Sequence, residues 1–270
     1  MVCVSILVLL FLLVLFLVLP GRPSAQQRAL FQFRCFAHRG LHTPDKSVPE
    51  NSLAAFEAAA ARGYGIELDV QLSRDGQVVV FHDDTLDRVT GVSGRVDAYT
   101  LEELQQMQLC GTQQTIPLFT QVLATVNGRG PLIVELKTGP RNPELCRKTL
   151  EILRGYPGVF CIESFDPTIV AWFRKNAPDV LRGQLTDAKK NFTTLKPTLG
   201  FLLSRCLGNF LARPQFIAWG PGRKNLLVRL VEGFGPLRVR WTVRSQDDPQ
   251  RLEAEYDALI FEFWDAPLHY

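Results

Sequence analysis

From residue 33 onward the chain alternates short apolar runs with stretches of helical period, and this alternation constrains its fold more tightly than anything else in it. A strand, a helix and a strand in repeated succession call for a parallel sheet with its helices outside. Strand-like runs are predicted over 33–38, 66–72, 132–136, 159–164, 181–184, 216–219, 238–243 and 258–263. Helices are predicted between them over 52–62, 119–126, 143–154, 167–176, 226–232 and 249–255. Prolines open three of these helices, which suits a first turn whose N–H has no partner, and Asn51 or Ser52 can cap the first. Eight strands with helices between them make an α/β fold of the (β/α)8 TIM-barrel type. A chain of 270 residues, 46% hydrophobic, is long enough for one such core.

Two stretches break the alternation. Asp75-Gly76 is a hairpin turn that leads into an extra strand at 78–81. The 83–117 segment after it is too long for a loop and holds a short helix near 101–107, so it reads as a small insertion after the second strand. The 197–213 stretch is apolar but interrupted, too short to span a bilayer. It is either an outer barrel helix or a helix lying on a membrane surface beside the site.

The N-terminus differs in kind. Residues 2–19 carry no charge and consist almost wholly of Val, Leu, Ile and Phe, enough at about 1.5 Å per residue to approach a ~30 Å hydrocarbon core. No Lys or Arg precedes the run, which argues for a retained anchor over a cleaved signal. The expected organisation is therefore a transmembrane anchor over 1–21, a linker over 22–32 and the barrel over 33–270. Arg22, Arg28 and Arg34 follow the apolar run, so the positive-inside rule places the barrel in the cytoplasm. Cysteine usage agrees with a reduced compartment, since Cys35, Cys110, Cys146, Cys161 and Cys206 are scattered and odd in number. A net charge of +3 with no basic run gives no footing for nucleic acid.

The chemistry-bearing residues are concentrated early. Ala37-His38-Arg39-Gly40, Pro49-Glu50-Asn51-Ser52, Glu67-Leu68-Asp69 and Phe81-His82-Asp83 lie between residues 37 and 83. Glu67 and Asp69 are two apart on a predicted strand and so share a face; Glu135 and Lys137 repeat that spacing. Carboxylates supply oxygen ligands for a hard divalent cation, a guanidinium grips a phosphate, and two imidazoles can move protons. His38, Glu67, Asp69, Glu135 and Lys137 fall at or near C-terminal strand ends, where barrel sites are built. Together they form a set suited to attack on a phosphodiester.

These motifs resemble the glycerophosphodiester phosphodiesterase family, with the likeness running from about 33 to 265 and strongest over 37–90. The family fold is the same barrel, which also guides the count of eight strands, and it carries a small insertion at the same point. The resemblance implies His38 and His82 as the acid–base pair. It implies Glu67, Asp69 and Glu135 as ligands of a divalent cation, Mg²⁺ or Ca²⁺, with Arg39 and Lys137 on the phosphate. Glu50 belongs to the Pro-Glu-Asn signature; Glu163 is expected near the metal or the glycerol hydroxyls, and Trp241 on the substrate wall. His42 matches no family position and reads as a loop residue. Phe261-Glu262 stands where the family has Thr-Asp, a departure expected to alter one wall of the mouth without touching the catalytic residues. The implied reaction is hydrolysis of a glycerophosphodiester to sn-glycerol 3-phosphate and an alcohol. Two rivals stand beside it: a lysophospholipase D-type enzyme acting on membrane lysolipids, and a non-catalytic membrane-bound binding protein.

Overall fold

The protein is described here from a computed structural model covering residues 2–193 and 195–270. Among the described residues nine strands form one sheet: β1 (Arg34–Ala37), β2 (Gly65–Leu72), β3 (Val78–Val80), β4 (Leu132–Leu136), β5 (Phe160–Ser164), β6 (Arg182–Thr186), β7 (Phe216–Trp219), β8 (Leu237–Val243) and β9 (Ala258–Phe261). All but β3 run parallel, in the order β1-β9-β8-β7-β6-β5-β4-β2, and β1 pairs with β2 to close the barrel. β3 is the exception, an antiparallel arm hung on β2. The Arg182–Thr186 strand runs two residues past its expected end, and β8 carries a register shift between Arg240 and Val243.

Strand alternation divides the apolar residues into two layers. Outward-facing Ile66, Leu68, Val134 and Ile162 pack beneath the helices. Inward-facing Phe36, Ile133, Cys161, Leu185, Phe216 and Ile260 fill the barrel. Two glycines make room for that filling: a Cβ at Gly183 would lie 2.0 Å from the Phe216 ring, and one at Gly65 would lie 2.5 Å from the ring of Phe36. The 83–117 insertion has its own small core of Phe81, Leu86, Val96, Leu104 and Ile116 beneath short helices.

Helix Leu53–Ala61 is capped by Ser52, whose Oγ accepts from Ala55 N at 3.1 Å. Asn51 is thereby left free for another task. The 197–213 stretch forms two short helices, Pro197–Leu203 and Asn209–Ala212, on the outside of the barrel.

The expected membrane span is not met. The N-terminal helix Val2–Val18 has 17 residues, roughly 26 Å at ~1.5 Å per residue, and no helix among the described residues is long and apolar enough to cross a membrane. Its last turn is instead tied to the barrel. Asn209 Nδ2 donates to Val18 O at 2.8 Å, Arg213 Nη1 donates to Leu19 O at 2.6 Å, and Val18 is buried. Within 22–32, Ala25–Phe31 is a helix with a Ser24–Gln27 capping box. All the cysteines are free, and Cys35, Cys146, Cys161 and Cys206 are buried.

Candidate active site

β1 ends in a turn whose backbone takes part in the site. Arg39 (φ 54°) and Gly40 (φ 78°) both lie in the left-handed region, and a Cβ on Gly40 would meet Ala55 C at 2.8 Å. This turn directs the Arg39 N–H onto Glu67 Oε2 at 3.1 Å. Asn51 is left-handed too (φ 55°); its N–H donates to Arg39 O at 2.9 Å and its Nδ2 to Asp69 Oδ2 at 2.8 Å. Non-glycine residues held in that region cost free energy and cluster at functional sites.

Register gathers the acids. Asp69 on β2 is opposite Glu135 on β4, and Glu135 is opposite Glu163 on β5, so their side chains share the inner face. Oxygens of Glu67, Asp69 and Glu135 all lie within 4.8 Å of one another, and all three residues are buried. Lys137 Nζ sits 2.8 Å from Glu135 Oε1 and 3.3 Å from Asp69 Oδ1, and Arg39 Nε sits 3.6 Å from Asp69 Oδ2. Four buried carboxylates thus face two cations. Burial, and then the charges of Asp69, Glu163 and Glu135, push Glu67 well above the usual carboxylate range. Burial also pushes Glu163 up, and its Oε2 has no hydrogen-bond partner. Burial acts upward on Asp69 as well, but Lys137, His82 and Arg39 overcome it and hold Asp69 down. A compact all-oxygen donor set with surplus negative charge fits a hard divalent cation.

The two imidazoles are built alike. His82 Nδ1 lies 2.6 Å from Asp83 Oδ1, and Asp83 Oδ2 accepts from Arg88 Nε at 2.6 Å. His38 Nδ1 lies 2.9 Å from Glu262 Oε2, and Glu262 Oε1 accepts from Arg244 Nε at 2.6 Å. His38 Nε2 looks the other way, 4.0 Å from Glu67 Oε2. Burial and the charge of Arg39 lower the His38 imidazole from 6.5 to about 4, against the upward pull of Glu262. The expectation that the Phe261-Glu262 departure touches none of the expected site residues is therefore corrected, because Glu262 is hydrogen-bonded to His38. His42 lies in a loop, as expected, with its Nε2 3.7 Å from Glu262 Oε2 and its ring 4.8 Å from that of Phe263.

Glu50 stands outside the acidic centre. It accepts from Arg39 Nη1 at 2.7 Å and from both terminal nitrogens of Arg88, so Arg88 joins Glu50 to Asp83. Trp241 lies on the opposite arc of the rim, its Nε1 donating to Ala218 O at 3.1 Å and its ring edge-on to Phe165 at 5.7 Å. Sequence reasoning missed Arg88, Asp83, Arg244 and Glu262. Asp83 carried a signal, being next to His82; Glu262 stood out as a departure at the mouth, but nothing pointed to its contact with His38, 224 residues away.

A closed parallel barrel whose rim gathers carboxylates, cations and imidazoles has the build of a barrel enzyme. The sequence profile of the Glycerophosphoryl diester phosphodiesterase family matches residues 38–266. A glycerophosphodiester phosphodiesterase of Caldanaerobacter subterraneus subsp. tengcongensis is 32% identical over 242 residues, covering 83% of this chain and 91% of the relative. The phosphodiesterase of Oleispira antarctica, solved in complex with the product sn-glycerol-3-phosphate, superposes with a TM-score of 0.69 at 24% identity, covering 87% of this chain and 94% of that one; at this identity the likeness is one of fold. The glycerophosphodiester phosphodiesterase of Thermotoga maritima superposes with a TM-score of 0.62 at 25% identity, over 84% of this chain and 93% of that one. The chain belongs to the glycerophosphoryl diester phosphodiesterase family, and it is a phosphoric diester hydrolase.

Proposed function

We propose that the protein hydrolyses glycerophosphodiesters to sn-glycerol 3-phosphate and an alcohol, with His38 and His82 as the proton-transfer pair. The observation that carries this reading is the juxtaposition of three buried carboxylates within 4.8 Å of one another and two imidazoles, each with a carboxylate at Nδ1. Glu67, Asp69 and Glu135 are the residues that would hold a divalent cation, which when bound supplies neutralising charge to the phosphate. Arg39 and Lys137 face the same centre and stabilise the added negative charge of the transition state. A neutral imidazole takes the proton from the attacking oxygen; the other imidazole, protonated, returns one to the oxygen that leaves phosphorus. Each histidine has its Nδ1 on a carboxylate, so Nε2 is the atom left for that exchange.

A second reading, turnover of lysophospholipids, has its own observation. Phe165 connects Trp241 to Phe192 by edge-on contacts at 5.7 and 6.2 Å. Beyond them Leu199, Phe201 and Leu202 are exposed on helix Pro197–Leu203, with the Arg205 guanidinium 3.8 Å from the Phe201 ring centre. An apolar track edged with cations suits an acyl chain near an anionic headgroup.

Both readings are tested by release of glycerol 3-phosphate from glycerophosphocholine and of headgroup alcohol from a lysophospholipid, each with Mg²⁺, with Ca²⁺ and with chelator, beside His38→Ala. Metal-dependent turnover lost in the variant supports the first statement, and the preferred substrate decides between the two. Turnover that survives chelation, or His38→Ala with unchanged kcat, would sink the assignment.

A further inference from the structure

The closing seam of the barrel, where β1 meets β9, brings together two side chains from opposite ends of the sequence. Ala37 is in register with Phe261, and His38 N donates to Phe261 O at 2.9 Å, so the next residues, His38 and Glu262, stand side by side on the inner face. Glu262 divides its oxygens: Oε1 is gripped by the Arg244 guanidinium, and Oε2 lies 2.9 Å from His38 Nδ1. A carboxylate accepts and does not donate, so the proton in that bond belongs to Nδ1.

We propose that Glu262 is a positioning residue of the hydrolysis, holding His38 in the Nδ1–H tautomer with Nε2 bare and aimed at the acidic centre. Its carboxyl can serve, since the His38 and Arg244 partners overcome the upward push of burial and hold it at about 2, ionised at neutral pH. His82 provides the parallel within the same molecule, with Asp83 on its Nδ1 and Arg88 on Asp83. The Asp83 arrangement comes from adjacent residues, whereas the Glu262 arrangement exists only once the barrel closes. His42 is the competing partner for Glu262, but its Nε2 is farther, at 3.7 Å, and its Nδ1 is 3.3 Å from Gly40 O.

The inference rests on His38 being one of the proton-transfer pair, and the experiment separates the two statements. Glu262→Gln, Glu262→Asp, His42→Ala and His38→Ala are compared with wild type for kcat and KM on glycerophosphocholine and for unfolding temperature. Ring ¹⁵N NMR reports the His38 tautomer. Expected is a fall in kcat of roughly 10²–10⁴-fold for Glu262→Gln, the range spanned when a histidine loses its carboxylate partner, with KM within about 2-fold. Glu262→Asp should recover part of the loss, and the His38 resonances of Glu262→Gln should move toward the Nε2–H form. Wild-type kcat in Glu262→Gln, an unmoved tautomer, or an equal loss in His42→Ala would overturn the inference while leaving the role of His38 standing. Full activity in His38→Ala would overturn the underlying reading instead. Should Glu262→Gln fail to fold, Arg244→Gln removes only the half-exposed anchor of Glu262 and should lower kcat several-fold with the same spectral trend.

Discussion

The rim of this barrel has two unlike arcs. From β1 round to β5 it carries His38, Glu67, Asp69, Glu135, Lys137 and Glu163, the four carboxylates buried. From β6 to β8 the inward residues are Leu185, Ala218 and Trp241, with Phe165 against the tryptophan. The first arc concentrates charge at a cost in folding free energy; the second is largely an apolar packing surface. The difference teaches that this rim keeps its charged groups and its apolar surface on largely separate strands, so that one can vary with little effect on the other.

That division can be broken most directly at the acids. Asp69→Asn or chelation is expected to lower kcat by on the order of 10³-fold or more, read as glycerol 3-phosphate release. His82→Ala should follow, with a loss of roughly 10²–10⁴ in kcat. The apolar arc should answer differently: Trp241→Ala is expected to raise KM about 10-fold with kcat little changed, because a packing surface binds ground and transition states alike. A kcat loss there as large as that of His82→Ala would abolish the distinction between the arcs.

Stability sharpens the same contrast. Glu67 is raised by burial and by its carboxylate neighbours, so Glu67→Gln should stabilise the metal-free protein by about 1 kcal/mol, or about 2–4 °C in Tm. The same variant should lose the rise in Tm that wild type gains from added Mg²⁺ or Ca²⁺. A lower metal-free Tm would mean that the Arg39 N–H bond to Glu67 outweighs the repulsion. The smallest effect is at Glu50. Burial would raise it, but Arg88 and Arg39 hold it at about 2, below the ordinary value near 4.5. A depressed carboxyl stabilises the fold above its unfolded pKa and loses that contribution as pH falls toward the folded one. Wild-type Tm should therefore drop between about pH 4.5 and 2 more steeply than that of Glu50→Gln.

What the sequence disclosed follows from period and proximity. A two-residue repeat places Glu67 with Asp69 and Glu135 with Lys137 on one inner face, so the acidic centre was legible before any coordinates. Register between distant strands was not, and the Glu262–His38 contact depends wholly on it. The choice between Asn51 and Ser52 as cap was also open, because both side chains suit that position; the demand of Asp69 for a donor settles which is spent where. At the N-terminus, composition reported apolarity alone. The end of the helix at Val18, which sets its length, and the Asn209 and Arg213 contacts to its last turn lie outside composition.

The aromatic filling of the barrel has a kinetic consequence. Phe216 packed against Gly183, and Phe36 against Gly65, fill the barrel beneath the acidic centre, so the centre is reached from the rim. Whatever enters from the rim must leave by the rim, so both products of a cleavage pass the same side chains.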